Sequence, residues 1–250
     1  MPILPNFIER LALLTFNQGP GLMLDFLGAQ AFRVVGVGVR LGVLEALSGG
    51  PLAAAETARQ VQASERGVNL LLDALEAFGY VKQKDGRYVN TPMTIKWLLR
   101  NSPTNLAGGI PFFESMVFDR WGPLDESIRR GKPAMYGYEW LEQHPGGYRV
   151  YEEGMIAIAR MAADEVMAKV TRSVPPTARQ LLDVGGGHGL YSIKFCRRYP
   201  NLSATVFDLP QAVEVARETA AATTAGEGGR SRRAQCDRSV CRSAPRLRRR

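Results

Sequence analysis

Cysteine, histidine and long uncharged apolar stretches are all scarce in this chain of 250 residues. The three cysteines, Cys196, Cys236 and Cys241, form no C-x-x-C pair and no metal-ligand spacing, so the sequence predicts neither a disulfide framework nor a metal site. No apolar run reaches the roughly 18 to 20 uncharged residues of a membrane span. The N-terminal residues also lack the basic start and the cleavage site of a secretory signal. We therefore expect a cytoplasmic protein without a membrane partner.

The formal net charge of +8 is concentrated at one end of the chain. Residues 226–250 contain nine Arg and no Lys against Glu227 and Asp237, which gives this segment +7 and leaves +1 for the rest. A nearly neutral folded part lacks the basic surface that nucleic-acid binding requires. The Arg-rich segment has no aromatic residue and no apolar periodicity, so we expect a disordered tail without a specific nucleic-acid partner.

One glycine-rich stretch, LLDVGGGHG at residues 181–189, organises the C-terminal half. The apolar run that begins at residue 180 ends in four glycines, and residues 190–198 continue with helical spacing, as in a strand that turns sharply into a helix. A second apolar run over residues 204–207 places Asp208 at its carboxyl end. Open parallel sheets bind their ligands at this edge, and a carboxylate there can accept hydrogen bonds from ribose hydroxyls.

The spacing of the glycines decides which nucleotide the stretch fits. A dinucleotide fingerprint needs a third glycine where this chain has Leu190. Asp183 stands two residues before the first glycine, where it would repel a phosphate but could bind an amino-acid ammonium group, directly or through water. Adenosine joined to a charged amino acid describes S-adenosylmethionine, although a glycine turn that binds nothing has the same pattern.

Together with Val206-Phe207-Asp208-Leu209-Pro210, this stretch resembles the S-adenosylmethionine-dependent O-methyltransferases of the plant phenolic, acetylserotonin and hydroxyneurosporene type. The resemblance covers about residues 10–222. It implies an enzyme that transfers a methyl group to a hydroxyl of a small aromatic or polyene secondary metabolite. It also implies the following cofactor-binding residues: Asp183, Gly185, Gly186, Gly187, Gly189, Asp208 and Leu209.

The predicted fold is a mostly α winged-helix dimerisation domain followed by an incomplete α/β Rossmann-like methyltransferase domain. We place the dimerisation domain at 1–100, a helical linker and substrate-pocket region at 101–172, the cofactor domain at 173–225 and the tail at 226–250. Residues 7–47 read as helices that are apolar around most of their circumference, which requires cover on several sides. The resemblance implies that a second copy of the chain supplies that cover, whereas an intrachain core is the alternative.

Residues 51–90 show the pattern of a winged helix. Two helical segments follow each other, and the second ends at Gly79. Two short strands then flank a Lys84-Asp85-Gly86 hairpin turn. This shape raises a second hypothesis, a non-catalytic dimeric binding or regulatory protein. The candidate recognition helix is net negative, because its polar positions are Glu65, Arg66, Asn69, Asp73 and Glu76. Duplex DNA would be repelled by this helix.

An aromatic and methionine cluster follows a Gly108-Gly109 break. In the family that the chain resembles, this region closes over the acceptor, and a methionine precedes the cofactor domain. The resemblance therefore implies Phe112, Phe113, Met116 and Met155 as substrate-binding residues. For each of these side chains, a place in the ordinary core is the alternative.

No catalytic base can be assigned from the sequence. Transfer to oxygen needs a base for the acceptor hydroxyl, and the related enzymes place a histidine well after the position of Asp208. This chain has only His144, beside a proline, and His188, inside the glycine turn. Our hypothesis is that a frameshift or premature end near residue 225 has removed the segment with the base, so we expect little or no activity from this chain.

Overall fold

The structure is a computed structural model that describes residues 7–16, 21–225 and 242–243. The chain divides into two compact units, Met1–Ala107 and Gly108–Arg250. Helices dominate both units, as the sequence predicts. The finer division into four parts stays a prediction.

The N-terminal unit begins with helices. The short helix α1 (Phe7–Arg10) continues into a π-helical turn at Leu11–Thr15. Helix α2 (Gly21–Arg40) follows, and Gly42, with a φ of 77°, separates it from α3 (Val43–Ala46) and a 3-10 turn at Leu47–Gly49. A positive φ suits glycine because it has no Cβ.

Helix α2 is buried on one face only. Its C-terminal half packs inward through Ala31, Val35 and Gly38, where Gly38 lets the Leu75 side chain approach closely. The first two turns expose apolar side chains at Leu22, Met23, Phe26 and Leu27. Charged residues interrupt α2, but its length and composition alone would allow it to cross a membrane. The absence of a membrane partner therefore stays a prediction.

The winged-helix arrangement is present. Helices α4 (Ala54–Gln60) and α5 (Glu65–Ala77) precede a hairpin of β1 (Val81–Lys84) and β2 (Arg87–Asn90). The turn has a φ of 52° at Asp85 and 73° at Gly86, as expected of an Asp-Gly hairpin. The core of this unit consists of Val43, Leu44, Leu47, Val68, Leu72, Leu75, Val81 and Tyr88.

Helix α6 (Pro92–Leu98) follows the hairpin, and a 3-10 turn at Ala107–Gly109 comes before the helices of the C-terminal unit. These helices are α7 (Ile110–Glu114), which continues as a π-helical turn at Ser115–Arg120, then α8 (Leu124–Arg130), α9 (Gly137–Gln143) and α10 (Gly147–Val170), which runs into a 3-10 turn at Thr171–Ser173. Helix α10 lies within the region predicted as a helical linker. Gly154 on α10 lies against the Phe112 ring, where a Cβ would collide with it.

A small parallel sheet completes the C-terminal unit. Strand β3 (Gln180–Val184) leads through the glycines into α11 (Leu190–Arg198), and β4 (Ser203–Asp208) leads into α12 (Pro210–Ala225). Strands β3 and β4 are parallel, with Gln180 opposite Ser203 and Val184 opposite Phe207. This is the βαβ unit that the sequence predicts, and β3 and α11 have the predicted bounds.

The sheet has one strand that the sequence does not predict, and one exposed edge. A short strand β5 (Arg242–Ser243) pairs in parallel with the end of β4, and the sequence does not predict it. The other residues of the predicted disordered tail lie outside the described residues. Strand β3 forms the other edge of the sheet in the described part of the chain, with Leu182 64% and Val184 71% exposed.

Candidate functional site

The loop between β3 and α11 contains glycines whose backbone conformation would be strained for any other residue. Gly185, Gly187 and Gly189 have φ values of 73°, 47° and 69°, in the left-handed region. The N–H of Gly185 donates to the carbonyl oxygen of Phe207 at 2.9 Å, which ties the loop to β4. Gly189 forms the N-terminal boundary of α11, so the loop turns the chain directly from strand to helix.

The carboxylate of Asp183 supports this loop from the end of β3. Its Oδ2 accepts a hydrogen bond of 2.6 Å from the hydroxyl of Ser192 on α11. The loop passes so close to this carboxylate that a Cβ on Gly186 would lie 2.6 Å from Cγ of Asp183. A glycine is therefore required at residue 186, because any side chain there would collide with the Asp183 carboxylate.

Asp208 connects the two strand ends. Its Oδ2 accepts from the N–H of Gly187 at 2.8 Å, and its Oδ1 accepts from the N–H of Leu209 at 2.7 Å. Each carboxylate oxygen keeps a further lone pair for a ligand. Asp208 thus positions the glycine loop and remains able to accept additional hydrogen bonds.

These groups surround a cavity of about 410 Å³ in the C-terminal unit. Of the predicted site residues, Asp183, Gly185, Gly186, Gly187, Asp208, Leu209 and Met155 line the cavity. It is also lined by Tyr138, Leu141, Tyr148, Tyr151, Glu152, Ile158, Ala159, His188, Tyr191 and Ala212. One end is therefore acidic and glycine-rich, and the remaining wall is aromatic and aliphatic.

The structure leaves four predicted site residues outside the cavity lining: Gly189, Phe112, Phe113 and Met116. A Cβ on Gly189 would lie 3.4 Å from Cβ of Ala216, so this glycine lies at a packing contact with α12. The Phe112 ring is buried and meets Tyr151 edge to face, with 5.6 Å between ring centroids. The binding roles of these four predicted site residues stay predictions.

Glu152 is the third carboxylate in the cavity lining, and the sequence does not predict it as a site residue. Its side chain is 4% exposed, and its Oε2 has no hydrogen-bond partner among the described residues. Burial and the nearby Asp208 carboxylate raise the pKa of Glu152 to about 7, although the His188 backbone N–H opposes the shift. Its helical spacing to Met155 and Ala159, which line the same cavity, is the signal in the sequence that could have identified it.

The two histidines occupy different environments. His188 lines the cavity, and its Nδ1 accepts from the N–H of Leu190 at 3.1 Å, which leaves the proton of the neutral ring on Nε2. Burial lowers the pKa of His188. His144 stacks on Trp140 with centroids 4.4 Å apart, and it does not line the cavity. Of the two histidines, only His188 lines the cavity.

Two domain families match the two halves of the chain. Residues 25–101 match the O-methyltransferase dimerisation domain, and residues 121–230 match the O-methyltransferase domain. The chain belongs to the S-adenosylmethionine-dependent O-methyltransferase family. The order of its two domains is the order predicted from the sequence.

Curated members of this O-methyltransferase family include similar proteins. The 3-hydroxy-5-methyl-1-naphthoate 3-O-methyltransferase of Streptomyces sahachiroi is 31% identical over 222 residues, which cover 87% of this chain and 63% of that protein. Acetylserotonin O-methyltransferase of Macaca mulatta is 31% identical over 206 residues, which cover 76% of this chain and 59% of that protein. The chain thus spans less than two thirds of the length of these relatives.

Solved structures of O-methyltransferases share the fold. The crystal structure of human N-acetylserotonin methyltransferase in complex with SAM has a TM-score of 0.69 at 22% identity, covering 90% of this chain and 65% of that chain. The structure of PigF with SAH has a TM-score of 0.65 at 24% identity, covering 82% of this chain and 62% of that chain. At these identities the likeness shows the fold.

Proposed function

We propose that this chain binds S-adenosylmethionine in the cavity beside the glycine loop. The observation that carries the proposal is the charge of the lining. Asp183, Glu152 and Asp208 contribute three carboxyl groups, and the described residues that line the cavity include neither Lys nor Arg. Such a site favours a ligand with positive charge and disfavours the phosphates of a dinucleotide. S-adenosylmethionine carries both a sulfonium and an ammonium group.

The residues at the acidic end have distinct roles in this proposal. Asp208 accepts hydrogen bonds from the ribose hydroxyls with its remaining lone pairs, and Asp183 orients the amino group, directly or through water. Gly185, Gly186 and Gly187 allow the backbone to approach the ligand. Gly189 shapes the loop from outside the cavity lining, and Leu209 contributes an apolar contact.

We propose further that the activity is O-methyl transfer to a small aromatic or polyene secondary metabolite. S-adenosylmethionine supplies an electrophilic methyl group when it is bound. Met155, Ile158 and the four lining tyrosines form a wall that would exclude water and accept an apolar acceptor. The naphthoate and acetylserotonin named for the relatives support an aromatic acceptor. Phe112, Phe113 and Met116 stay candidates for acceptor contacts.

We propose a homodimer as the assembly. The matched dimerisation domain supports this, and so do the apolar side chains that the first turns of α2 expose. Burying this face against a second copy would remove apolar surface from water. We also propose a cytoplasmic location, which the O-methyltransferase family of the chain supports.

The alternative function, a DNA-binding or other regulatory module, finds no support in the geometry of α5. Asp73 on this helix accepts from Asn69 and from the Tyr88 hydroxyl, and Glu76 accepts from the Gln83 N–H. These acids belong to the surface where a recognition helix would need cations. Salt-dependent retention of duplex DNA by residues 1–225 would favour this alternative.

Calorimetric titration of S-adenosylmethionine into the protein and its Asp208→Ala variant tests the proposed function. We expect the unaltered protein to bind and the variant to lose binding, because the variant loses the ribose acceptor and the contact to Gly187. Asp125→Ala is the control, since Asp125 is exposed on α8 and pairs only with Arg129 in the described structure. Unchanged affinity in Asp208→Ala would show that the site assignment is wrong.

A further inference from the structure

We propose that Glu152 is a further ligand-binding residue, whose carboxylate recognises the positively charged sulfur of S-adenosylmethionine and makes the site prefer it over S-adenosylhomocysteine. This inference rests on the proposed function and assigns the discrimination to one side chain. None of the residue roles predicted from the sequence includes Glu152.

The position of Glu152 directs its carboxylate at the ligand-binding loop. The residue lies in the second turn of α10, and a Cβ on Gly187 would be 2.7 Å from its Oε2. The carboxylate therefore lies close to the glycine whose N–H donates to Asp208. A ligand that contacts the loop at Gly187 would lie near Glu152.

Glu152 differs from the other two carboxylates because one of its oxygens, Oε2, is buried and unpaired among the described residues. Asp183 accepts from the Ser192 hydroxyl, and both oxygens of Asp208 accept from backbone N–H groups. Oε2 of Glu152 is buried with no such partner among the described residues. A buried carboxylate oxygen without a partner is costly, and a cation is the group that would offset this cost.

The described groups around Glu152 provide no positive charge to balance its carboxylate. Asp208 repels it, the half-buried Tyr151 is neutral, and the His188 ring is neutral near pH 7 because burial lowers its pKa. No described lysine or arginine among the cavity-lining residues balances the charge. These surroundings raise the pKa of Glu152 to about 7, and an incoming cation would favour ionisation.

The two ligands provide a direct comparison of charge. S-adenosylmethionine and S-adenosylhomocysteine share the adenosine and the amino-acid end, and they differ by one methyl group and by the positive charge on sulfur. A carboxylate near the sulfur stabilises the first and not the second. The same preference would speed the exchange of product for fresh cofactor after methyl transfer.

Calorimetric titration of both ligands at pH 8 into the full chain, Glu152→Gln and Glu153→Gln tests the inference. Glu152→Gln keeps the side-chain shape and removes the charge. We expect its affinity for S-adenosylmethionine to fall about tenfold or more, as for the loss of one close charge pair, while affinity for S-adenosylhomocysteine stays within about threefold. Glu153→Gln is the matched control, because Glu153 is the next residue on α10 and does not line the cavity.

Each other outcome has a defined meaning. Retained S-adenosylhomocysteine binding in Glu152→Gln demonstrates a folded site, so an unchanged ratio of the two affinities overturns the inference. An equal loss of both ligands also overturns it, because Glu152 would then act on the shared part of the ligand or on the fold. Failure of the unaltered protein to bind either ligand would instead refute the proposed function on which the inference rests.

Discussion

Replacing Glu152 by Gln is expected to stabilise the ligand-free protein, and the gain should increase with pH. The folded-state pKa of Glu152 is about 7, against an ordinary value of 4.5. The folded protein therefore binds the proton more tightly than the unfolded chain does. The resulting penalty is absent below pH 4.5, grows as the pH rises towards 7 and is complete above pH 7.

The size of the effect follows from the shift in pKa. Each pKa unit corresponds to about 1.4 kcal/mol, so the shift from 4.5 to about 7 sets an upper bound of about 3 kcal/mol on the penalty. The cavity admits water, which screens the charge, so we expect a gain of about 1–3 kcal/mol above pH 7. For a chain of this length, that gain raises the midpoint of thermal unfolding by about 2–10 °C.

Thermal unfolding of the unaltered protein and of Glu152→Gln at several pH values between 5 and 8.5 measures the effect. The difference between the two proteins isolates Glu152, because every other ionisable group is present in both. Glu142→Gln is the control, since Glu142 is exposed on α9 in the same unit. A difference that stays constant from pH 5 to 8.5, or a variant less stable at pH 8, would refute the reasoning.

Two further predictions concern the loop and the assembly. Gly187→Ala should lose S-adenosylmethionine binding and about 1–3 kcal/mol of stability, because the φ of 47° at Gly187 and the nearby Glu152 exclude a Cβ. Gly86→Ala is the control: Gly86 has a φ of 73° but open space around it, so this variant should lose stability and keep binding. Retained binding in Gly187→Ala would count against a ligand at this loop. Light scattering should give twice the chain mass of 27.5 kDa, and Phe26→Asp should shift it towards the single-chain mass; a monomeric unaltered protein would refute the homodimer.

The elements that the sequence predicts well are those with local signals. Gln180–Val184 and Leu190–Arg198 are bounded by glycines that permit a sharp turn, so the predicted bounds of β3 and α11 are confirmed. The Asp-Gly hairpin and Gly79 are local signals of the same kind. The start of α10 is not, because Gly146-Gly147 resembles a loop, whereas Gly146 adopts a φ of 77° and Gly147 already belongs to the helix.

The parts of the site that the sequence could not predict depend on how distant elements meet. A glutamate on a helix usually faces solvent, and Glu152 is buried only because α10 crosses the glycine loop. The sequence also does not predict that the Phe112 ring fills the space that Gly154 leaves on α10, and the role of Phe112 in acceptor binding stays a prediction. In both cases the decisive neighbour is more than thirty residues away in the chain.

A crystal structure of the protein grown with S-adenosylmethionine tests the central claim most directly. The account predicts the ligand in the cavity, with its ribose hydroxyls on Asp208, its amino group near Asp183 and its sulfur on the side of Glu152. Density for the ligand at another position, or an empty cavity under saturating ligand, would contradict the account.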